Sequence, residues 1–181
     1  GNVTNMEDMF SFASRFNQPL EQWNVSNVTN MKLMFFNAHA FNQPLKNWER
    51  VDSTVGNVTN MQGMFLRARA FNQPLEQWNV GNVTNMQGMF HYAAAFSQPL
   101  GRWDVGKVTN MENMFNSARA FNQSLNKWDV SNAPDMRGMF SRAHAFNPKN
   151  ASWFKIPRGR PHRRGDPFRP RDNININPLF L

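Results

Sequence analysis

Apolar residues fall into fixed columns along the chain. Met6, Met9, Phe10 and Ala13 stand at i, i+3, i+4 and i+7, the spacing of one face of a short helix, and the same group returns from Met31, Met61, Met86, Met111 and Met136. Every tryptophan also belongs to one column: Trp23, Trp48, Trp78, Trp103, Trp128 and Trp153. Phenylalanine fills two more, from Phe10 to Phe140 and from Phe16 to Phe146. The period is 25 residues, except for 30 between the second and third of the six units. Five extra residues near Arg50 to Thr54 account for the difference and mark a loop.

Within a unit the pattern predicts a helix followed by a strand. Thr4 with Glu7, Thr59 with Gln62, Thr84 with Gln87 and Thr109 with Glu112 have capping-box spacing. Unit two has Lys32 at the acidic position, and unit six has Pro134 for the threonine, with Asp135 as a substitute cap. Pro19 ends the helix, because it disfavours a helical Gln18 and has no amide to donate. Trp23 and Val25 then alternate with polar Gln22 and Asn24, as in a short strand with one buried face. One strand and one short helix cannot bury their own apolar face, so six units should stack into an α/β repeat solenoid, with Met on Met and Trp on Trp. Each strand–helix–strand crossover should be right-handed. The asparagine columns, Asn5 to Asn110 and Asn17 to Asn122, should form side-chain ladders that satisfy turn amides.

The string Val-Thr-Asn-Met-x-x-Met-Phe-x-x-Ala-x-x-Phe-Asn-Gln-Pro-Leu-x-x-Trp runs from Val58 to Trp78 and, with Ser97 for asparagine, from Val83 to Trp103. It resembles the repeat of the BspA-like leucine-rich-repeat surface proteins, and the resemblance extends from Asn2 to Trp153. It implies a leucine-rich-repeat-like coil, with relatives on bacterial and mycoplasma surfaces, in protists and algae, and in large DNA viruses. The family is associated with adhesion and protein binding. Two departures stand out: no recognisable N-terminal cap or membrane anchor, and an arginine-rich tail.

Charge divides the chain into residues 1–153, the six-unit array, and residues 154–181, an extended basic arm. The first part has 13 basic and 10 acidic residues, the second seven and two. Five prolines keep the arm from packing by itself. There is no cysteine, hence no disulfide and no thiolate chemistry. No apolar run approaches the roughly 18 residues of a membrane span. The chain opens on Gly1, consistent with a removed leader or an excerpt.

Catalysis needs converging groups of different kinds. His39 and His144 share one column, His91 lies in another and His162 in the arm, none paired with a fixed carboxylate or nucleophile. The expectation is therefore no enzyme, no metal and no cofactor. Sequons such as Asn27-Val-Thr and Asn82-Val-Thr arise from the repeat itself and do not argue for glycosylation.

The candidate partner-binding positions are those that vary beside invariant core columns. Gln22 and Asn24, Asn47 and Glu49, Gln77 and Asn79, Arg102 and Asp104, and Lys127 and Asp129 should point outward as a concave strip. On the arm the candidates are Arg158, Arg160, Arg163, Arg164, Arg169 and Arg171, followed by Ile174, Ile176 and Phe180 in an alternating stretch suited to docking on a partner's sheet. The first expectation is a protein-binding scaffold at a cell surface or outside the cell. The second is a structural subunit of a large assembly, such as a virus capsid or organellar complex, with the arm as tether. A third is nucleic-acid contact through the basic tail, weakening steeply with salt.

Overall fold

Every second amide of the Met-Phe segment leaves its own unit. In the computed structural model, which describes residues 2–49, 55–132 and 135–154, the Met6, Asp8, Phe10 and Phe12 N–H groups donate to the Asn30, Lys32, Met34 and Phe36 carbonyls at 2.7–3.0 Å. The amides between them turn back on their own coil: Met9 to Met6, Ser11 to Asp8 and Ala13 to Phe10, at 2.9–3.4 Å. The third unit repeats this, with Met61, Gly63, Phe65 and Arg67 donating to Asn85, Gln87, Met89 and His91. Isolated parallel bridges run from Asn5 through Asn30, Asn60, Asn85 and Asn110 to Asp135. The units are thus successive coils of tandem turns, each hydrogen-bonded to the next.

This overturns the predicted α/β solenoid with one helix and one strand per unit. Among the described residues the only regular elements are two 3-10 helices, Lys46–Glu49 and Pro148–Asn150. The physical reason is backbone handedness. Two positions per unit have positive φ: Asp8 and Phe12, Leu33 and Asn37, Gly63 and Arg67, Gly88 and Tyr92, Asn113 and Ser117, Gly138 and Arg142. Such residues cannot continue a right-handed helix, but they suit the third position of a tight turn. The Phe10 amide, which a helix would direct to Met6, bonds Met34 instead. The strand expected at Trp23 and Val25 is also replaced by turns, Trp23 to Leu20 and Val28 to Val25, each at 3.0 Å. The right-handed crossover therefore has no elements to connect.

The capping boxes are replaced as well. The neighbouring asparagine accepts the turn amide: Asn5 Oδ1 from Glu7, Asn60 from Gln62, Asn85 from Gln87 and Asn110 from Glu112, at 2.9–3.0 Å. Asp135 does the same for the Arg137 amide. The threonine hydroxyls donate to the preceding coil, Thr29 to the Thr4 carbonyl and Thr59 to Thr29, each at 3.2 Å.

The core columns are where the spacing places them. Phe10, Phe35, Phe65, Phe90, Phe115 and Phe140 stack ring on ring at 5.4–5.7 Å. A parallel ladder runs from Phe16 to Phe146 at 5.9–6.2 Å. Nearly parallel rings at this distance combine apolar burial with stacking, about 0.5–1.5 kcal/mol per aromatic pair beyond area. Met31, Met61, Met86 and Met111 are fully buried beside them. The packed interior continues to Phe154, the first residue assigned to the arm, whose ring stands edge-on to Phe140 at 5.7 Å.

Candidate partner-binding surface

The strip is built by the turns around the tryptophans. Trp48, Trp78, Trp103 and Trp128 are buried, and the residues on either side of Trp78, Trp103 and Trp128 face outward. Gln22, Asn24, Gln77, Asn79, Arg102, Asp104, Lys127 and Asp129 are exposed, and Asn47 is half-buried. Glu49 closes the first 3-10 helix, and its side chain lies outside the described residues.

The two columns of the strip differ in what they do. Asn24, Asn79, Asp104 and Asp129 each accept, through Oδ1, the amide two residues ahead (Ser26, Gly81, Gly106 and Ser131) at 2.9–3.2 Å. They are turn formers whose side chains are already engaged. The Ser131 hydroxyl and amide hold the Asp129 carboxyl below its usual range. Gln22, Gln77, Arg102 and Lys127 have no such task, apart from a long contact of Arg102 with Glu76 at 3.8 Å. They carry the variation from coil to coil.

The asparagine ladder holds the opposite turn in register. Asn17 Oδ1 accepts the Asn42 amide, Asn42 the Asn72 amide, Asn72 the Ser97 amide and Asn122 the Asn147 amide, at 2.9–3.0 Å. Sequon nitrogens are used too: Asn57 Nδ2 donates to the Ser26 carbonyl at 2.7 Å and Asn82 to Gly56 at 2.9 Å. These amides are parts of the scaffold.

Charge pairs decorate the turn edge. Lys32 Nζ lies 2.6 Å from Glu7 and pulls that carboxyl below its usual range. Arg137 pairs with Asp135 and, at 3.8 Å, with Glu112. His91 is buried, and desolvation, with help from Arg67 and Arg142, pushes it down to about 3. Among the described residues no three metal-ligating side chains converge, and no helix is long and apolar enough to cross a membrane.

The arm candidates Arg158, Arg160, Arg163, Arg164, Arg169, Arg171, Ile174, Ile176 and Phe180 lie outside the described residues, as does the insertion at Arg50 to Thr54. A charge count by segment also hides a face: sorting cations by repeat column collects Arg15, Arg67, Arg69, Arg119 and Arg142 on neighbouring columns.

No curated protein and no solved structure matches the chain. The family described as Mycoplasma protein of unknown function, DUF285, matches residues 1–55 and 51–153. With all six units inside that match, the chain belongs to the DUF285 family.

Proposed function

We propose that this protein is a non-enzymatic scaffold for protein–protein contact, akin to the BspA-like surface proteins, and that it acts at a cell surface or outside the cell. One observation carries the reading. Interior columns repeat nearly unchanged, while the column of Gln22, Asn47, Gln77, Arg102 and Lys127 changes residue at every step from one coil to the next. A rigid stack with a variable rim suits recognition of other proteins. The arm supplies a second contact.

The test is site-specific photocrosslinking on the producing cell, with the reactive group at Gln77 or Lys127 and, as control, at exposed Thr109. Adducts to protein should form from the strip and not from Thr109. Equal yields at all three positions would remove the strip from consideration.

A second reading is a subunit of a large assembly such as a virion, with the arm as tether. It is favoured by the arm's own sequence, seven cations among five prolines and a final alternating apolar stretch suited to docking on a partner's sheet. Recovery of the purified chain as a monodisperse monomer with a protease-sensitive arm would count against it.

A further inference from the structure

A second hydrogen-bonded ladder carries cations that neither the strip nor the arm uses. The Ala40, Ala70, Ala95, Ala120 and Ala145 amides donate to the Ser14, His39, Arg69, Ala94 and Arg119 carbonyls of the coil before, at 3.1–3.3 Å. These bonds hold Ser14, His39, Arg69, Ala94, Arg119 and His144 in one register, a coil apart at each step. Arg15 stands one position along in the first coil, and Arg67 two positions before Arg69 in the third. Arg15, Arg69 and Arg119 are exposed and occupy the first, third and fifth coils.

The four columns from Phe12 to Arg15 contain no Asp or Glu in any coil, and every cation in them apart from histidine is arginine. The ion pairs of Lys32, Arg102 and Arg137 lie on other columns. The arginines share one field. His39 is held below its usual range by burial, then by Arg69 and Arg67.

We propose that this arginine row binds an extended, carboxylate-rich segment of another protein, lying along the stack in a polyproline-II conformation. Two coil steps span about 10 Å at the usual strand spacing. A polyproline-II chain has three residues per turn and rises about 3.1 Å per residue, so every third side chain returns to the same side after about 9 Å. Glutamates three apart would therefore meet Arg15, Arg69 and Arg119 in turn. The planar guanidinium fork matches a carboxylate with two parallel hydrogen bonds. A nucleic-acid strand fits less well, because it needs free aromatic platforms for its bases. The Tyr92 ring already carries Arg67, at 5.7 Å from its centroid, and His91, at 4.5 Å. This face is separate from the strip and the arm, and its test does not depend on them.

The probes are two labelled peptides of equal length and charge, one with glutamate at every third residue and one with the same glutamates in a single block. They are titrated into full-length protein whose seven arm cations are replaced by glutamine, beside a poly-dT oligonucleotide and phosphatidylserine vesicles. The spaced peptide should bind best, and Arg69→Gln with Arg119→Gln should weaken it roughly tenfold, the size of two exposed pairs, without moving the thermal midpoint. No peptide binding at low salt, no effect of the double substitution, no preference for the spaced peptide, or tighter binding of the oligonucleotide or vesicles would each overturn the proposal.

Discussion

At the scale of single residues, the tryptophan column shows how one hydrogen bond recurs and once fails. Trp48, Trp103, Trp128 and Trp153 donate Nε1–H to the Leu20, Leu75, Leu100 and Leu125 carbonyls of the coil before, at 2.8–3.1 Å. Trp78 Nε1 is buried without a partner, and its counterpart, Leu45, adjoins the 3-10 helix that leads into the insertion. Trp103→Phe removes one of the two hydrogen bonds that the Leu75 carbonyl accepts, the other coming from the Trp78 amide at 3.0 Å, and should cost about 0.5–1.5 kcal/mol more than Trp78→Phe in urea unfolding. Equal costs would contradict this account. His91 makes a second case. It is buried neutral with its pKa lowered to about 3, so below pH about 6.5 the unfolded chain binds a proton that the folded one refuses. Stability should thus be full above that pH and fall by up to about 1.4 kcal/mol per unit on acidification towards 3. In the same column Phe36 and Leu66 are buried. His91→Leu should therefore flatten the slope, and a pH titration of unfolding free energy that keeps it would assign the acid sensitivity elsewhere.

At the scale of the element, the coil is a succession of tight turns, each closed by one local bond and tied to its neighbour by the next amide. Asn72 ties the coils on both sides of it at the far turn: its amide donates to Asn42 Oδ1 at 2.9 Å, and its own Oδ1 accepts from the Ser97 amide at 3.0 Å and Gln98 Nε2 at 3.1 Å. Asn72→Ala should cost about 1–2 kcal/mol, and Asn72→Asp, which keeps the acceptor, should cost less in the same chemical-denaturation assay. The apolar spacing of three and four that reads as a helix is produced equally by turns repeating every two residues. Gly63, Gly88 and Gly138 held the discriminating signal. Three glycines at one interior column of a supposed helix are costly there, about 1 kcal/mol each, and natural where φ must be positive.

At the scale of the whole molecule, each coil contacts its neighbours along one axis, so cooperativity should run from the middle outward. Amides of Met61, Gly63, Phe65 and Arg67 are expected to exchange more slowly than those of Met6, Asp8, Phe10 and Phe12, although both sets bond to a neighbouring carbonyl. The far-UV circular dichroism spectrum should lack the double minimum of α-helix, and a strongly helical spectrum would refute the turn architecture. Hydrogen-exchange mass spectrometry resolves the first expectation coil by coil.

Repetition in the sequence was enough to set which side chains form the interior, which asparagines tie the turns and which residues flanking the tryptophans face water. Those properties follow from chemical type recurring at a fixed period, and a stack of either helices or turns uses them alike. The path of the backbone was decided only in three dimensions. Whether the Phe10 amide bonds within its own coil or to Met34 of the next depends on left-handed residues such as Asp8 and Phe12, whose side chains do not demand that conformation. The bonds between coils stabilise it, and they exist only once the coils have met.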